Sequence, residues 1–166
     1  MTQNISIIWF RQDLRLGHNP ALTAACKANN MMPIYILDDD TAGRYSMGAA
    51  SRWWLHHSLK ALDVSLDNAL NVYCGDAASI IADLCQRFKV DAVYWNRCYE
   101  PRHISQSKYI KQQLSSQGIK ASSINGSLLN EPWSVLKKDD SPYKVFTPYH
   151  REASKIEPPV TVLPAP

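Results

Sequence analysis

The sequence predicts an α/β fold: one five-stranded parallel sheet in the order 3-2-1-4-5, with helices on both faces. Three observations carry this. Apolar runs of strand length alternate five times with helix-like segments, the pattern of a parallel sheet rather than of hairpins. The first two runs are apolar at consecutive positions, as in strands covered on both faces. Right-handed crossovers then leave few strand orders, and 3-2-1-4-5 reverses the chain's direction between the first and fourth strands.

The elements follow in order. Asn4-Ile5-Ser6-Ile7-Ile8-Trp9-Phe10 is a β-branched and aromatic strand. Asn19-Pro20-Ala21-Leu22 supplies an N-cap and a proline at the first helical position, and a helix is expected from there to about Asn30. Pro33-Ile34-Tyr35-Ile36-Leu37 is the second strand, ended by Asp38-Asp39-Asp40. A long helix fits Gly48 to Leu66, because Leu55, Leu59, Leu62 and Leu66 repeat at spacings of 4, 3 and 4. Asn71-Val72-Tyr73-Cys74 is the third strand. Gly75-Asp76 opens a helix whose apolar face is Ala77, Ile80, Ile81, Leu84, Cys85 and Phe88. Val90 to Trp95 forms the fourth strand, His103 to Gln117 the fourth helix, and Ile119 to Ile124 the fifth strand. The whole is Rossmann-like.

Composition bounds what this fold can do. The 166 residues suit one domain, and 45% hydrophobic with 20% charged residues excludes a disordered or collagen-like chain. Charged residues interrupt every apolar stretch before the roughly 18 residues of a membrane span, so no membrane partner is expected. No secretory leader precedes the first strand, and the expected compartment is cytoplasmic. Cys26, Cys74, Cys85 and Cys98 show no metal or disulfide spacing; the first three read as buried free thiols. The formal charge of +3 divides into −2 over residues 1–83 and +5 over residues 84–166. So weak a skew reads as solvated surface before it reads as an anion-binding face. Seven of the ten prolines lie from Pro132 onward, and the segment from Glu157 to Pro166 reads as an extended linker. The chain therefore divides into an α/β domain over residues 1–131 and an extension over residues 132–166.

Ligands of such sheets sit beyond the carboxyl ends of the strands, where the strand order reverses. Two loops qualify: Arg11 to His18, with Phe10 and Arg11 at its start as candidate ligand contacts, and Asn96 to Arg102. Both are dense in hydrogen-bonding groups. Arg11, Asp13 and Arg15 fit an ion-pair network that pins the first loop equally well. Neither GxGxxG nor GxxxxGK[ST] occurs, so a planar ring system is a better ligand than a triphosphate. Trp53 and Trp54 offer stacking faces, although core anchoring is the commoner use of such a pair. His56 and His57 stand about 100° apart on a helix and cannot share a metal readily. Cys98 lacks the partners of a nucleophile, and no catalytic residue and no metal site is expected.

Together these segments resemble the DNA photolyase and cryptochrome family. The resemblance rests on Trp9-Phe10-Arg11-Gln12-Asp13-Leu14-Arg15-Leu16 with Asn19-Pro20-Ala21-Leu22, and on Ser51-Arg52-Trp53-Trp54-Leu55. Tyr94-Trp95-Asn96-Arg97, Tyr99-Glu100-Pro101 and Pro142 to Tyr149 follow in the family's order, covering nearly the whole chain to about Arg151. The resemblance implies an N-terminal α/β domain that holds a light-harvesting antenna. A helical domain beyond this chain would then bind FAD and damaged DNA. Excitation would pass to reduced flavin, whose electron splits a cyclobutane pyrimidine dimer. The full-length protein would be a deoxyribodipyrimidine photo-lyase, and this part alone would be inactive and monomeric. In deazaflavin-binding members, positions similar to Asp38, Arg52 and Glu100 surround the antenna, and Cys98 removes a polar contact beside it. The antenna remains open among 8-hydroxy-5-deazaflavin, methenyltetrahydrofolate and FMN. His18, Cys98 and His150 depart from the residues common in the family. A cryptochrome sensor is the alternative, and a stand-alone nucleotide-binding domain a more distant one.

Overall fold

The computed structural model describes residues 5–39, 43, 46–156 and 162–166. The chain divides into two compact units, Met1–Gly126 with Leu163–Pro166, and Ser127–Val162. The boundary expected after residue 131 falls inside the second. Half of the expected linker, residues 157–161, lies outside the described residues.

The first unit alternates strand and helix throughout: β1 (Ile5–Phe10), α1 (Pro20–Ala25), β2 (Asn30–Leu37), α2 (Ala49–Ser65), β3 (Asn71–Cys74), α3 (Ala77–Phe88), β4 (Ala92–Asn96), α4 (Pro101–Ser116) and β5 (Lys120–Ile124). The strands form one sheet in the order β3-β2-β1-β4-β5, and every pairing is parallel. Fold class and strand order agree with the sequence expectation. The two-residue side-chain period of β1 divides the core. Ile7 and Trp9 face one side, with Ile34, Ile36, Val93 and Trp95, beneath Ile81 and Leu84 of α3 and Ile110 and Leu114 of α4. Ile8, Phe10 and Tyr35 face the other, beneath Ala21, Leu22 and Ala25 of α1 and Leu62 of α2.

Several boundaries differ from expectation for local reasons. Helix α1 ends at Ala25, and β2 begins at Asn30, ahead of Pro33. Proline is tolerated there because β3 pairs only from Ile34 onward, so no ladder bond is lost at Pro33. Helix α4 begins at Pro101, whose fixed φ suits the first helical position, rather than at His103. Helix α3 is capped by Asp76, which accepts from the Ser79 N–H at 2.8 Å.

Two expectations fail. Trp53 and Trp54 do not anchor the core; they are 63% and 70% exposed. At about 100° per residue, Trp53 stands roughly opposite the leucine stripe, which alone turns α2 inward. Cys26 and Cys74 are exposed rather than buried, while Cys85 and Cys98 are buried. Cys26 caps the end of short α1, and Cys74 ends the edge strand β3, so little packs over either.

The second unit contains an isolated antiparallel bridge between Leu136 and Pro142 and the helix α5 (Phe146–Ala153). The sequence reading assigned no helix to this segment. Pro148 occupies its first turn, where the missing N–H costs no helical bond.

Candidate functional site

A cleft of about 600 Å³ opens at the carboxyl ends of β1 and β2, against the start of α4. This is the reversal point of the sheet, where the topology places ligands. Its size lies within the range of small-molecule sites. Trp9, Tyr35, Ile36 and Leu37 contribute apolar wall, and Met47 closes one edge. Arg11, Gln12, Asp38, Asp39, Glu100, Arg102, His103 and Gln106 bring the polar groups.

Arg11 leaves the end of β1 and is nine-tenths buried, its guanidinium 4.4 Å from the centroid of the Trp9 ring. Its Nη1 donates to Ser107 Oγ at 3.1 Å and its Nη2 to Gln106 Oε1 at 3.0 Å, both on α4. Gln106 Nε2 in turn donates to Asp38 Oδ2 at 2.5 Å. One chain of bonds thus links the ends of β1 and β2 to α4. Asp39 beside it pairs with Arg52 at 2.5 Å, and Arg52 Nε also donates to the Met47 carbonyl at 2.9 Å.

On the opposite side, Glu100 accepts from Gln12 Nε2 at 3.0 Å and from His103 Nδ1 at 3.1 Å. These bonds favour the carboxylate and hold its pKa down at about 2. His103 Nε2 lies 3.0 Å from Arg102 Nη2. A guanidinium only donates, so His103 Nε2 accepts and its proton resides on Nδ1, facing Glu100. Burial, with Arg11 and Arg102 nearby, lowers the His103 pKa despite Glu100, favouring neutral imidazole. Cys98 lies beneath, its thiol pushed up by burial although Arg11 opposes the shift. Neutral thiol is therefore the resting form, and the site has no activated nucleophile in Cys98.

Ligand atoms of Cys98, Glu100 and His103 come within 4.8 Å of one another. Glu100 and His103 are already hydrogen-bonded, however, and two guanidinium groups lie beside His103. The local charge opposes a cation.

Of the residues singled out from sequence, Arg11, Asp38 and Glu100 line the cleft directly. Arg52 reaches it through Asp39, and Cys98 lies under the Glu100 turn. Phe10 points away, fully buried beneath α1. The sequence reading named the loops containing Gln12 and Arg102 but not these side chains, and it missed Tyr35, Met47, His103 and Gln106. The α4 residues follow from helical spacing: with Pro101 at the start, positions 102, 103 and 106 fall within reach of one another.

A family model for DNA photolyase matches residues 6–166. The chain belongs to the DNA photolyase family. It is 43% identical over 149 residues to a deoxyribodipyrimidine photo-lyase from Agrobacterium fabrum, covering 87% of this chain and 30% of that protein. It is 33% identical over 148 residues to cryptochrome-1 from Arabidopsis thaliana, covering 87% of this chain and 22% of that protein. Among solved structures, a bacterial class III photolyase from Agrobacterium tumefaciens superposes with a TM-score of 0.90 at 37% identity, over all of this chain and 35% of that one. The chain thus spans about a third or less of these photolyase-family relatives. Among the described residues, no helix is long and apolar enough to cross a membrane.

Proposed function

We propose that this chain is the light-harvesting domain of a photolyase that repairs cyclobutane pyrimidine dimers in DNA. The observation that supports this most is the 43% identity to the Agrobacterium fabrum photo-lyase, at a chain position where the sheet carries a ligand-sized cleft. The division of labour follows the sequence reading: residues 1–131 hold the chromophore, and residues 132–166 lead toward a FAD-binding helical domain that also takes the damaged DNA. The cytoplasm is the proposed compartment and a monomer the proposed state.

The residues present fit a planar chromophore. The cleft has apolar walls for a ring system and polar groups at its rim, and one guanidinium nitrogen of Arg102 is buried without an acceptor among the described residues. Arg11, Asp38, Glu100 and Arg102 would hold it, with Arg52 keeping Asp39 in place and Cys98 supporting the floor. The chromophore, when bound, absorbs light and passes the excitation on to the flavin of the full-length protein. The chain's own part is to bind it, fix its orientation and exclude water from its ring faces. No proton transfer or bond cleavage falls to these residues.

The test is a spectroscopic titration of the chain with 8-hydroxy-5-deazaflavin, methenyltetrahydrofolate and FMN. Saturable binding with a shifted absorption band for one of them is expected; none for all three overturns the reading. The 33% identity to a plant cryptochrome favours a sensory protein as the second reading. Light-dependent splitting of dimer-containing DNA by the full-length protein, absent in darkness, separates repair from sensing.

A further inference from the structure

We propose that the outward face of α2, centred on Trp53 and Trp54, is a docking surface for the part of the full-length protein that follows this chain. The inference rests on reading the chain as one domain of a longer photolyase.

Helical phase builds the face. Leu62, with Leu55 and Leu59 beside it, packs toward Ile8, Phe10 and Tyr35 of the sheet. At about 100° per residue, Trp53, His57, Lys60 and Val64 share the opposite side of the helix. Trp53, Trp54 and Val64 are each more than three-fifths exposed. The rings form one continuous run: Trp53 lies 6.5 Å from Trp54 and 4.4 Å from His57, and His57 lies 5.2 Å from His56. Two indoles so exposed present on the order of 300 Å² of surface, the size at which an apolar patch marks a contact site. Among the described residues, no other helix of the first unit carries two adjacent, well-exposed aromatic residues. The face is also held in shape before any contact. Arg52 pairs with Asp39 and donates to the Met47 carbonyl, which fixes the first turn of α2, and His57 braces the Trp53 ring. A surface ordered in advance costs little entropy to cover.

Three observations point to the occupant. The Agrobacterium tumefaciens photolyase superposes on all of this chain through 35% of its own length, so most of such a protein lies elsewhere. The second observation is position. Leu163–Pro166 belong to the first unit, and the Leu163 carbonyl accepts from the His18 N–H at 2.8 Å. His18 immediately precedes Asn19, the cap of α1. Helices α1 and α2 cover the same side of the sheet, and both begin at the carboxyl ends of their parallel strands. Whatever follows Pro166 therefore departs near the end of α2 that carries the tryptophans. The third is charge. His56, His57 and Lys60 are exposed on this face, and Lys60 has no ion pair among the described residues. A symmetric pairing of two copies would set these basic groups against themselves. A different surface, apolar at its centre with carboxylates at its rim, complements them.

The experiment exposes the full-length protein and the 166-residue chain to hydroxyl radicals, with an added peptide as dosimeter, and locates the products by mass spectrometry. Trp53 and Trp54 are expected to oxidise about fivefold or more slowly in the full-length protein, as desolvated aromatic anchors do. Replacing both by serine should leave His57 of the full-length protein as reactive as in the chain alone. It should also lower the thermal midpoint of the full-length protein while scarcely moving that of the chain. Equal oxidation of Trp53 and Trp54 in the two wild-type proteins overturns the docking face, and this readout requires no variant to fold. Protection that already appears in the chain alone, rises with its concentration and accompanies a dimer in sedimentation assigns the face to a second copy and overturns the proposal. A double variant that keeps His57 protected at an unchanged midpoint overturns the tryptophans as the centre of the face. The photolyase reading is separable: protected tryptophans without light-dependent dimer splitting overturn that reading alone, and intact splitting with reactive tryptophans overturns docking alone.

Discussion

Asn96, the last residue of β4, donates through Nδ2 to Oδ1 of Asn19, the N-cap of α1, at 2.7 Å. The same Nδ2 reaches Asp13, and Asn96 Oδ1 accepts from the Ala21 N–H at 3.2 Å. Asp13 in turn accepts from the Arg11 N–H at 3.0 Å. Asn19, Asn96 and Asp13 are all buried. A polar knot therefore joins the end of β4, the start of α1 and the loop after β1, two residues from the arginine that enters the cleft. Buried polar groups tolerate such positions only when satisfied, so the knot sets the loop's geometry as well as its stability.

Asn96→Ala removes the centre of this knot and leaves Asp13 and Asn19 underpaired. A loss of about 2–3 kcal/mol is expected from urea denaturation, given the cost of stranding buried polar groups. Gln113→Ala serves as a control: Gln113 donates to exposed Tyr109 at 2.8 Å, and a change within about 0.5 kcal/mol is expected. Equal effects of the two substitutions would remove the knot's structural role.

Gly126 provides an independent check of the same packing. A Cβ there meets the Asn96 side chain at 2.6 Å, closer than real contacts allow. Gly126→Ala should destabilise by about 1–3 kcal/mol, the usual cost of overpacking. Truncating Asn96 opens the space, so the double variant should fall short of the sum by about 1 kcal/mol or more. Strict additivity in a double-mutant cycle would show that the two residues do not compete for this volume.

The fold was legible because its signals are local and repeated: consecutive apolar strands, the Asn19-Pro20 start and the α2 leucine stripe each specify an element without long-range information. The cleft was legible only as two loops. Arg11 and Glu100 follow from topology, because both sit just beyond strand ends at the reversal point. Tyr35 and Met47 could not be read that way. Tyr35 alternates with Ile34 and Ile36 as an ordinary core strand residue does, and Met47 precedes α2 without a pattern. Trp53 differs in kind: its residue type suits a core, whereas helical phase, fixed by the leucines of α2, turns it to solvent.

That correction is measurable. Trp53 and Trp54 are exposed, their rings 6.5 Å apart, while Trp95 is fully buried against Trp9 at 5.9 Å. Trp53→Ala and Trp54→Ala should each change stability by about 0.5 kcal/mol or less, whereas Trp95→Ala should cost about 3–5 kcal/mol. Acrylamide should quench much of the wild-type tryptophan emission, and the quenchable part should drop when both α2 tryptophans are replaced. Emission resistant to the quencher would place them inside.

Acid should weaken the folded state in two successive ranges, both through the turn that opens α4. His103 has a folded pKa below its ordinary value of 6.5, so the unfolded chain takes up its proton first. Its contribution to stability is present above about pH 6.5 and declines as pH falls below that value. Glu100 is depressed from 4.5 to about 2, so its contribution is present above about pH 4.5 and is lost as pH falls toward 2. Glu100 is largely solvent-facing, and screening keeps its share small. His103→Asn should therefore flatten the denaturation midpoint between pH 7.5 and 5, and Glu100→Gln should flatten it only below about pH 4.5. Because neutral His103 accepts from Arg102, protonating it also breaks that bond. His103→Asn should remove this decline in stability. A pH profile unchanged by His103→Asn would show that the imidazole is not the group being titrated.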